Sequence, residues 1–393
     1  MNGAILTLNA GSSSLKFALF RSAKDGLALI AKGQIESIPA APHLLARDED
    51  GTLLTERRWP AGRDWRHEDF LGGLLDWIED HLEGEKLIAA GHRVVHGGAE
   101  FAAPVRIDET VLTRLDRLCP LAPLHQPHNL AAVRAVRAVR PSLPQIACFD
   151  TAFHHGQPKL AKEFALPRAL SAEGVRRYGF HGLSYEYVAG RLRQLAPALA
   201  AKKVIVAHLG NGASLCAIAD GRSIDTTMGF TALDGLMMGT RCGAIDPGVL
   251  LYLLQQRGMR PAEIEDLLYH RSGLLGVSGE SGDMRTLLDS DSPAAREAVA
   301  LFLYRIGREM GALTASLGGL DGVVFTAGIG ENAPAVRQGV AERLAWLGAR
   351  LDSSRNHAGE GRISSDDSAV EIWVIPTDEE AMIARHSFSL VTA

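Results

Sequence analysis

Residues 4–20 read AILTLNAGSSSLKFALF, and residues 204–219 read VIVAHLGNGASLCAIA. In both, an apolar run meets a turn of small residues and a second apolar run follows, the pattern of a β-hairpin with a small-residue tip. Laid over one another, Ile5 falls on Ile205, Ser14 on Ser214 and Leu15 on Leu215. One such hairpin in each half of the chain points to a duplicated domain.

Working outward, Phe70, Leu74, Leu75, Ile78 and Leu82 share one face of a helix over 68–82. A second helix is expected over 129–140, capped by Asn129 and stopped before Pro141; its Arg134, Arg137 and Arg140 read as a solvated basic edge. A long helix over 293–317 has Ser292 as N-cap, Pro293 in its first turn and Gly318-Gly319 closing it. Asp50-Gly51 marks a hairpin within the polar stretch 40–66. Strand and helix signals alternate throughout, which argues an α/β fold.

The 393 residues exceed one small core and suggest two domains. A hydrophobic fraction of 46% excludes a disordered chain, and a formal net charge of −5 argues against a dedicated nucleic-acid binder. It leaves phosphate ligands open, because backbone N–H groups and a few Arg or Lys meet those locally. Uncharged runs stay below about 18 residues, so no membrane span is expected. The first fifteen residues are uncharged, but Asn9 and the serines interrupt them, and no signal peptide is read there. Four cysteines without a C-x-x-C pair read as buried reduced thiols of a cytoplasmic protein, with no zinc cluster.

Several segments carry candidate chemistry. The tip Asn9 to Ser14, followed by Lys16, offers backbone donors, hydroxyls and a cation to a phosphate, or is an ordinary polar hairpin. The tip His208-Leu209-Gly210-Asn211-Gly212 fits a tight turn with positive φ. At Gly328-Ile329-Gly330-Glu331-Asn332 a buried strand runs into glycines and a helix expected to start near Asn332, a place for a nucleotide phosphate. Asp283-Met284-Arg285 sets a carboxylate beside a guanidinium, to hold a ribose or adenine or to form a local ion pair. Arg93 stands in an apolar run, Asp150 follows one, and His181 is bracketed by glycines and aromatics; a charge at the end of an apolar strand often points into a cleft in open α/β folds, and each also reads as a paired structural group.

Taken together, these segments closely resemble the acetate kinase family. The resemblance runs in order through residues 8–17, 91–98, Leu121 to His125, Phe149 to His154, Arg177 to Gly182, 208–212, Met238 to Arg241, 283–285, 328–332 and Thr377 to Glu380. It implies two related actin-like, ribonuclease H-like α/β domains with the nucleotide cleft between them: 1–150 with a returning segment 381–393, and 151–380 for nucleotide binding and dimerisation. It implies reversible transfer of phosphate from ATP to acetate, giving ADP and acetyl phosphate, with Mg²⁺ (or Mn²⁺) in a cytoplasmic homodimer that needs neither nucleic acid nor membrane. A short-chain acyl kinase preferring propionate is the nearest alternative. A non-catalytic actin-like or Hsp70-like switch is the alternative from another class.

By position, the resemblance makes Asn9 and Glu379 the metal-associated residues. It makes Ser14, Lys16, His208, Leu209, Gly210, Asn211, Gly212, Asp283, Met284, Arg285, Gly328, Ile329, Gly330, Glu331 and Asn332 contacts of ATP. Arg93 would meet the substrate carboxylate, and Val95, Leu124, Phe180 and Ala232 its methyl group. Asp150 takes the position of the family's acid/base, and His181 and Arg241 those of its transition-state stabilisers. The chain departs from the family's usual residues at Ala232 (Pro), Ala244 (Asp), Cys242 (Ser or Thr), Tyr185 (His) and Gln126 (Asn). A carboxylic acid with pKa near about 4.3 is ionised at neutral pH, so acetate needs no general base. Asp150 is therefore expected to orient Arg241 or His181, or to hold a metal-bound water, during direct in-line transfer.

Overall fold

The two hairpins lie at the centres of two separate sheets. The computed structural model describes residues 3–392 apart from 12, 24, 25, 39, 64 and 83, and Ser12 of the first tip therefore lies outside the described residues. The chain divides into a first unit, residues 1–153 with 378–393, and a second unit, residues 154–377.

In the first unit, β1 (Ala4–Ala10), β2 (Leu15–Ala23), β3 (Gly26–Glu36), β4 (His43–Asp48), β5 (Leu53–Arg58), β6 (Leu87–Val94), β7 (Val105–Arg106) and β8 (Gln145–Phe149) form one sheet in the order β5-β4-β3-β2-β1-β6-β8-β7. In the second, β9 (Lys203–Leu209), β10 (Ala213–Ala219), β11 (Arg222–Thr226), β12 (Gly322–Thr326), β13 (Gly361–Arg362) and β14 (Glu371–Val374) are ordered β11-β10-β9-β12-β14-β13. The runs β3-β2-β1-β6-β8 and β11-β10-β9-β12-β14 match strand for strand. Each has three antiparallel strands followed by two parallel ones. The echo between residues 5–15 and 205–215 is the sequence trace of this repeated order.

Helices cover both faces of the central strands, which is why β8, β9, β10 and β12 read as near-continuous apolar runs. The helix Glu68–Asp80 buries Phe70, Leu71, Leu74, Leu75 and Ile78 against the first sheet. Each such side chain contributes about 1.5–3 kcal/mol. The helix Pro293–Leu317 buries Ala295, Ala298, Phe302, Ile306, Met310, Leu313 and Leu317 along one stripe. Ser292 Oγ accepts from the N–H groups of Ala294 and Ala295, and Gly318 ends the helix in the left-handed region, as the sequence indicated. The helix Glu379–Thr392 packs on β6 and β1. Gly91 makes that approach possible, because a methyl there would collide with Ser387 Oγ and Ile383 Cγ2.

Four expectations are corrected. The helix expected from Asn129 begins at Gln126, because the Asn129 side chain is spent on tertiary partners described below. The strand β12 runs directly into a short helix, Ala327–Asn332, which breaks at Ala333 before a second helix, Pro334–Arg343. Gly328 and Gly330 are therefore helical, and no helix starts at Asn332. Neither Gly210 nor Gly212 adopts positive φ; both serve close approach. Cys148 and Cys216 are buried, but Cys119 and Cys242 are only half-buried. The Asp50-Gly51 turn forms as expected, with Gly51 left-handed and Asp48 Oδ1 accepting from the N–H groups of Asp50 and Thr52. Arg134, Arg137 and Arg140 pair with surface carboxylates.

Candidate active site

In the first unit the parallel strands β1, β6 and β8 deliver Asn9, Arg93 and Asp150 to one edge, at their carboxyl ends, where open α/β sheets bind ligands. Arg93 Nε donates to both oxygens of Asp150 at 3.1 Å, and Nη2 donates to Oδ2 at 2.5 Å. Its Nη1 donates to Asn9 Oδ1 at 3.2 Å. Glu379, at the start of the C-terminal helix, approaches Arg93 Nε at 3.7 Å. Asp150 is 1% exposed and Arg93 21%. Burial disfavours the guanidinium charge, but Asp150 and Glu379 outweigh it and hold its pKa above the ordinary value. The neighbouring Glu380 carboxyl is pushed up by burial and then by the Glu379 charge. Sequence reading expected Asp150 to orient Arg241 or His181 or to hold a metal-bound water; within its own unit it holds Arg93.

Two amides whose role the sequence did not show brace this edge. Asn129 Nδ2 donates to the Ala10 carbonyl at 2.6 Å, and its Oδ1 accepts from Val95 N–H at 3.0 Å. Gln126 exchanges two hydrogen bonds with the backbone of His96. Both side chains are buried. They tie the first tip to the end of β6, and so fix Asn9 relative to Arg93. Val95 is buried, Leu124 is half-buried in the turn before the helix, and Lys16 is exposed opposite Asn9. The carbonyl of Ser14 lies 3.3 Å from His67 Nε2.

In the second unit His181 sits at φ 58°, the left-handed residue that opens the helix Gly182–Leu195. A non-glycine residue held there is uncommon and strained. His154 Nε2 lies 2.9 Å from the Phe180 carbonyl and pins the preceding peptide. Burial lowers the pKa of His154 to about 4, so it does this as a neutral ring. The His181 ring stacks on His208, with centroids 4.1 Å apart, and its Nδ1 is 2.8 Å from Ser214 Oγ. Arg241 Nη1 donates to the Ala232 carbonyl at 3.0 Å. A methyl placed on Gly212 would lie 3.3 Å from His181 Nε2 and 3.9 Å from Arg241 Nη1. The imidazole and the guanidinium thus converge on the second tip, and Gly212 is there to let them.

Beside this tip is a cavity of about 430 Å³, within the usual range for a small-molecule site. Gly210, Asn211, Asp283, Met284, Arg285, Gly328, Ile329 and Asn332 line it, together with Gly282 and Ala333. Eight of the residues assigned to ATP therefore share one pocket. Asp283 also caps the short helix Met284–Leu288, which lowers its pKa through the N–H groups of Thr286 and Arg285, and it pairs with Arg285 at 3.4 Å. His208, Leu209, Gly212, Gly330 and Glu331 lie outside that lining. Glu331 Oε1 instead accepts from the N–H groups of Ala327 and Thr377, bracing the left-handed Ala327.

The acetokinase family model matches residues 4–385. An acetate kinase of Rhodopseudomonas palustris is 56% identical over 395 residues, covering 99% of each chain. The chain belongs to the acetokinase family. Among solved structures, Porphyromonas gingivalis acetate kinase is 37% identical with a TM-score of 0.88, covering 99% of this chain and 100% of that one. A Francisella tularensis propionate kinase is 38% identical with a TM-score of 0.91, covering 98% and 99%. The family's fold is therefore that of this chain. What sequence reading missed within it are braces: Gln126, Asn129, His154 and Ser214. Ser214 left a signal as the residue that matches Ser14 when the hairpins are overlaid, and Gln126 as a departure from the family's usual residue.

Proposed function

We propose that this chain transfers the γ-phosphoryl group of ATP reversibly to acetate, giving ADP and acetyl phosphate. The observation that carries the reading is the meeting of His181 Nε2 and Arg241 Nη1 at Gly212, on the tip whose Gly210 and Asn211 line the nucleotide-sized cavity. Two cationic or donor groups beside a phosphate pocket suit the equatorial oxygens of a phosphoryl group in flight.

Acetate arrives ionised, so no residue need deprotonate it. Arg93 receives the carboxylate, and Asp150 holds that guanidinium in one orientation. The resemblance assigns the methyl group to Val95 and Leu124 of the first unit and to Phe180 and Ala232 of the second. Attack is in line, without a phosphoenzyme. Asn9 and Glu379 supply two hard oxygen donors, which fits Mg²⁺, an ion that keeps several waters and takes its other ligands from phosphates. Among the described residues no group of three or more His, Cys, Asp or Glu could hold a metal alone, in keeping with an ion that enters with its nucleotide. When bound, Mg²⁺ neutralises charge on the phosphate oxygens.

The second unit carries nucleotide binding and dimerisation in this reading. Its helix Pro247–Gln255 buries none of its residues, and Val249, Leu251, Tyr252 and Leu254 are 41–54% exposed. An apolar face of that kind suits a second copy of the chain. A cytoplasmic place follows from the need for ATP.

The test is Mg-ATP with acetate, propionate and butyrate, trapping acyl phosphate with hydroxylamine. Acetate should give the highest kcat/KM. The resemblance to a propionate kinase, together with Ala232 in place of the family's usual Pro, favours one further comparison: Ala232→Pro should widen the preference for acetate. ATP binding with no trapped product would leave only a nucleotide switch.

A further inference from the structure

We propose that Ser214 and Tyr185 are positioning residues that set the tautomer of His181, keeping Nδ1 turned into the protein and placing the ring hydrogen on Nε2. The proposal rests on the reading of His181 given above.

Ser214 Oγ lies 2.8 Å from His181 Nδ1 and 2.5 Å from the Tyr185 hydroxyl. Both Ser214 and Tyr185 are fully buried. In such a chain each contact needs one hydrogen, so the donors have to be allotted in sequence. Burial holds the Tyr185 pKa well above its ordinary value, so the group stays a phenol with a hydrogen to give, and in the proposed chain it gives it to Ser214 Oγ. Ser214 then gives its own hydrogen to Nδ1, and the neutral imidazole carries its hydrogen on Nε2.

The ring is also kept from turning. It stacks on His208 at an interplanar angle of 18°. His208 Nδ1 is 2.8 Å from Ser184 Oγ, and Ser184 is 2.9 Å from Thr377 Oγ1. Two hydroxyl-centred chains therefore meet at the stacked pair, one behind each ring. Nε2 is the nitrogen that shares the neighbourhood of Gly212 with Arg241. There, a hydrogen on Nε2 donates to a phosphoryl oxygen, whereas the opposite tautomer would turn a lone pair toward an anion. The side chain that sets a tautomer can matter as much as the one that touches substrate.

The test joins spectroscopy with a double-mutant cycle. Long-range ¹⁵N–¹H spectra at pH 7.5, with His181 assigned by its loss in His181→Gln, should show an Nε2–H ring in the unaltered chain and a tautomer mixture in Ser214→Ala. Ser214→Ala should lower kcat about 10–100-fold, and Tyr185→Phe by less, with both KM values within about twofold. In a His181→Ala background, Ser214→Ala should cost no more than about twofold further. An Nδ1–H or doubly protonated ring in the unaltered chain, or equal losses in both backgrounds, overturns the proposal. Should Ser214→Ala fail to fold, the spectrum of the unaltered chain and the Tyr185→Phe cycle still decide it. Wild-type kcat in His181→Ala would overturn the reading of His181 itself, while the spectrum would still report the tautomer.

Discussion

The two units share a strand order but differ in the described contacts of Arg93 and Arg241. Arg93 is gripped by the Asp150 carboxylate, with Glu379 alongside. Arg241 Nη1 donates to the Ala232 carbonyl and meets the Met238 sulfur, within a unit that brings it beside His181 at the second tip. A guanidinium locked by carboxylates is fixed in direction and tempered in charge, which suits steering a substrate carboxylate. A planar fork that converges with an imidazole on the second tip suits a phosphoryl group instead. Duplication supplied the frame, and the divergence lies in what stands at the ends of the strands.

The comparison breaks first at Asp150. Asp150→Ala should leave a poorly solvated Arg93 without its partner and destabilise the fold by about 3–5 kcal/mol, measured by denaturant titration. The milder Asp150→Asn should scale the pH–rate profile down without removing an ionisation from it; loss of a limb would restore a proton-transfer role. In the second unit, Arg241→Ala should raise the barrier by about 2.7–4 kcal/mol, read from the kcat/KM of the folded variant. A correctly folded Arg241→Ala with normal turnover would dissolve the contrast.

Each unit also holds a buried histidine whose pKa is lowered to about 4 chiefly by burial, His92 in the first and His154 in the second. Their ordinary value is 6.5, so the unfolded chain binds more protons between pH 6.5 and 4. Stability is fully present above pH 6.5 and falls as the pH drops through that window, by about 1.4 kcal/mol per pH unit for each histidine. His92→Gln and His154→Gln should each remove its share of the slope in denaturation series from pH 7 to 5. The smallest effect is expected at Arg137, whose pairing with Glu109 is solvated; Arg137→Ala should change stability by less than about 1 kcal/mol.

Much of the frame was legible because burial on both faces writes itself as apolar runs, and because Ser292, Pro293 and Gly318 mark the ends of a long helix locally. The charged members of the site were legible for a similar reason: Arg93 and Asp150 interrupt or follow such runs. Asn129 was misread because its local role, capping a helix, was outcompeted by bonds to Ala10 and Val95 that exist only once the strands are assembled. Gly212 was assigned to a turn because sequence reports the missing Cβ but not what presses on it. Ser214 looked like one more small residue in a tip until Tyr185 and His181 stood on either side of it.

Residues 378–393 belong to the first unit although the whole second unit is made before them. On a ribosome, then, the sheet bearing Arg93 emerges early but waits for Glu379 and its helix, which must find Gly91 after some two hundred intervening residues have left the tunnel. A truncated or stalled nascent chain would keep Asp150 but lack Glu379, so incomplete products cannot complete the pair of carboxylates around Arg93. A circular permutant opened between residues 377 and 378 would make the first unit contiguous and remove the delay.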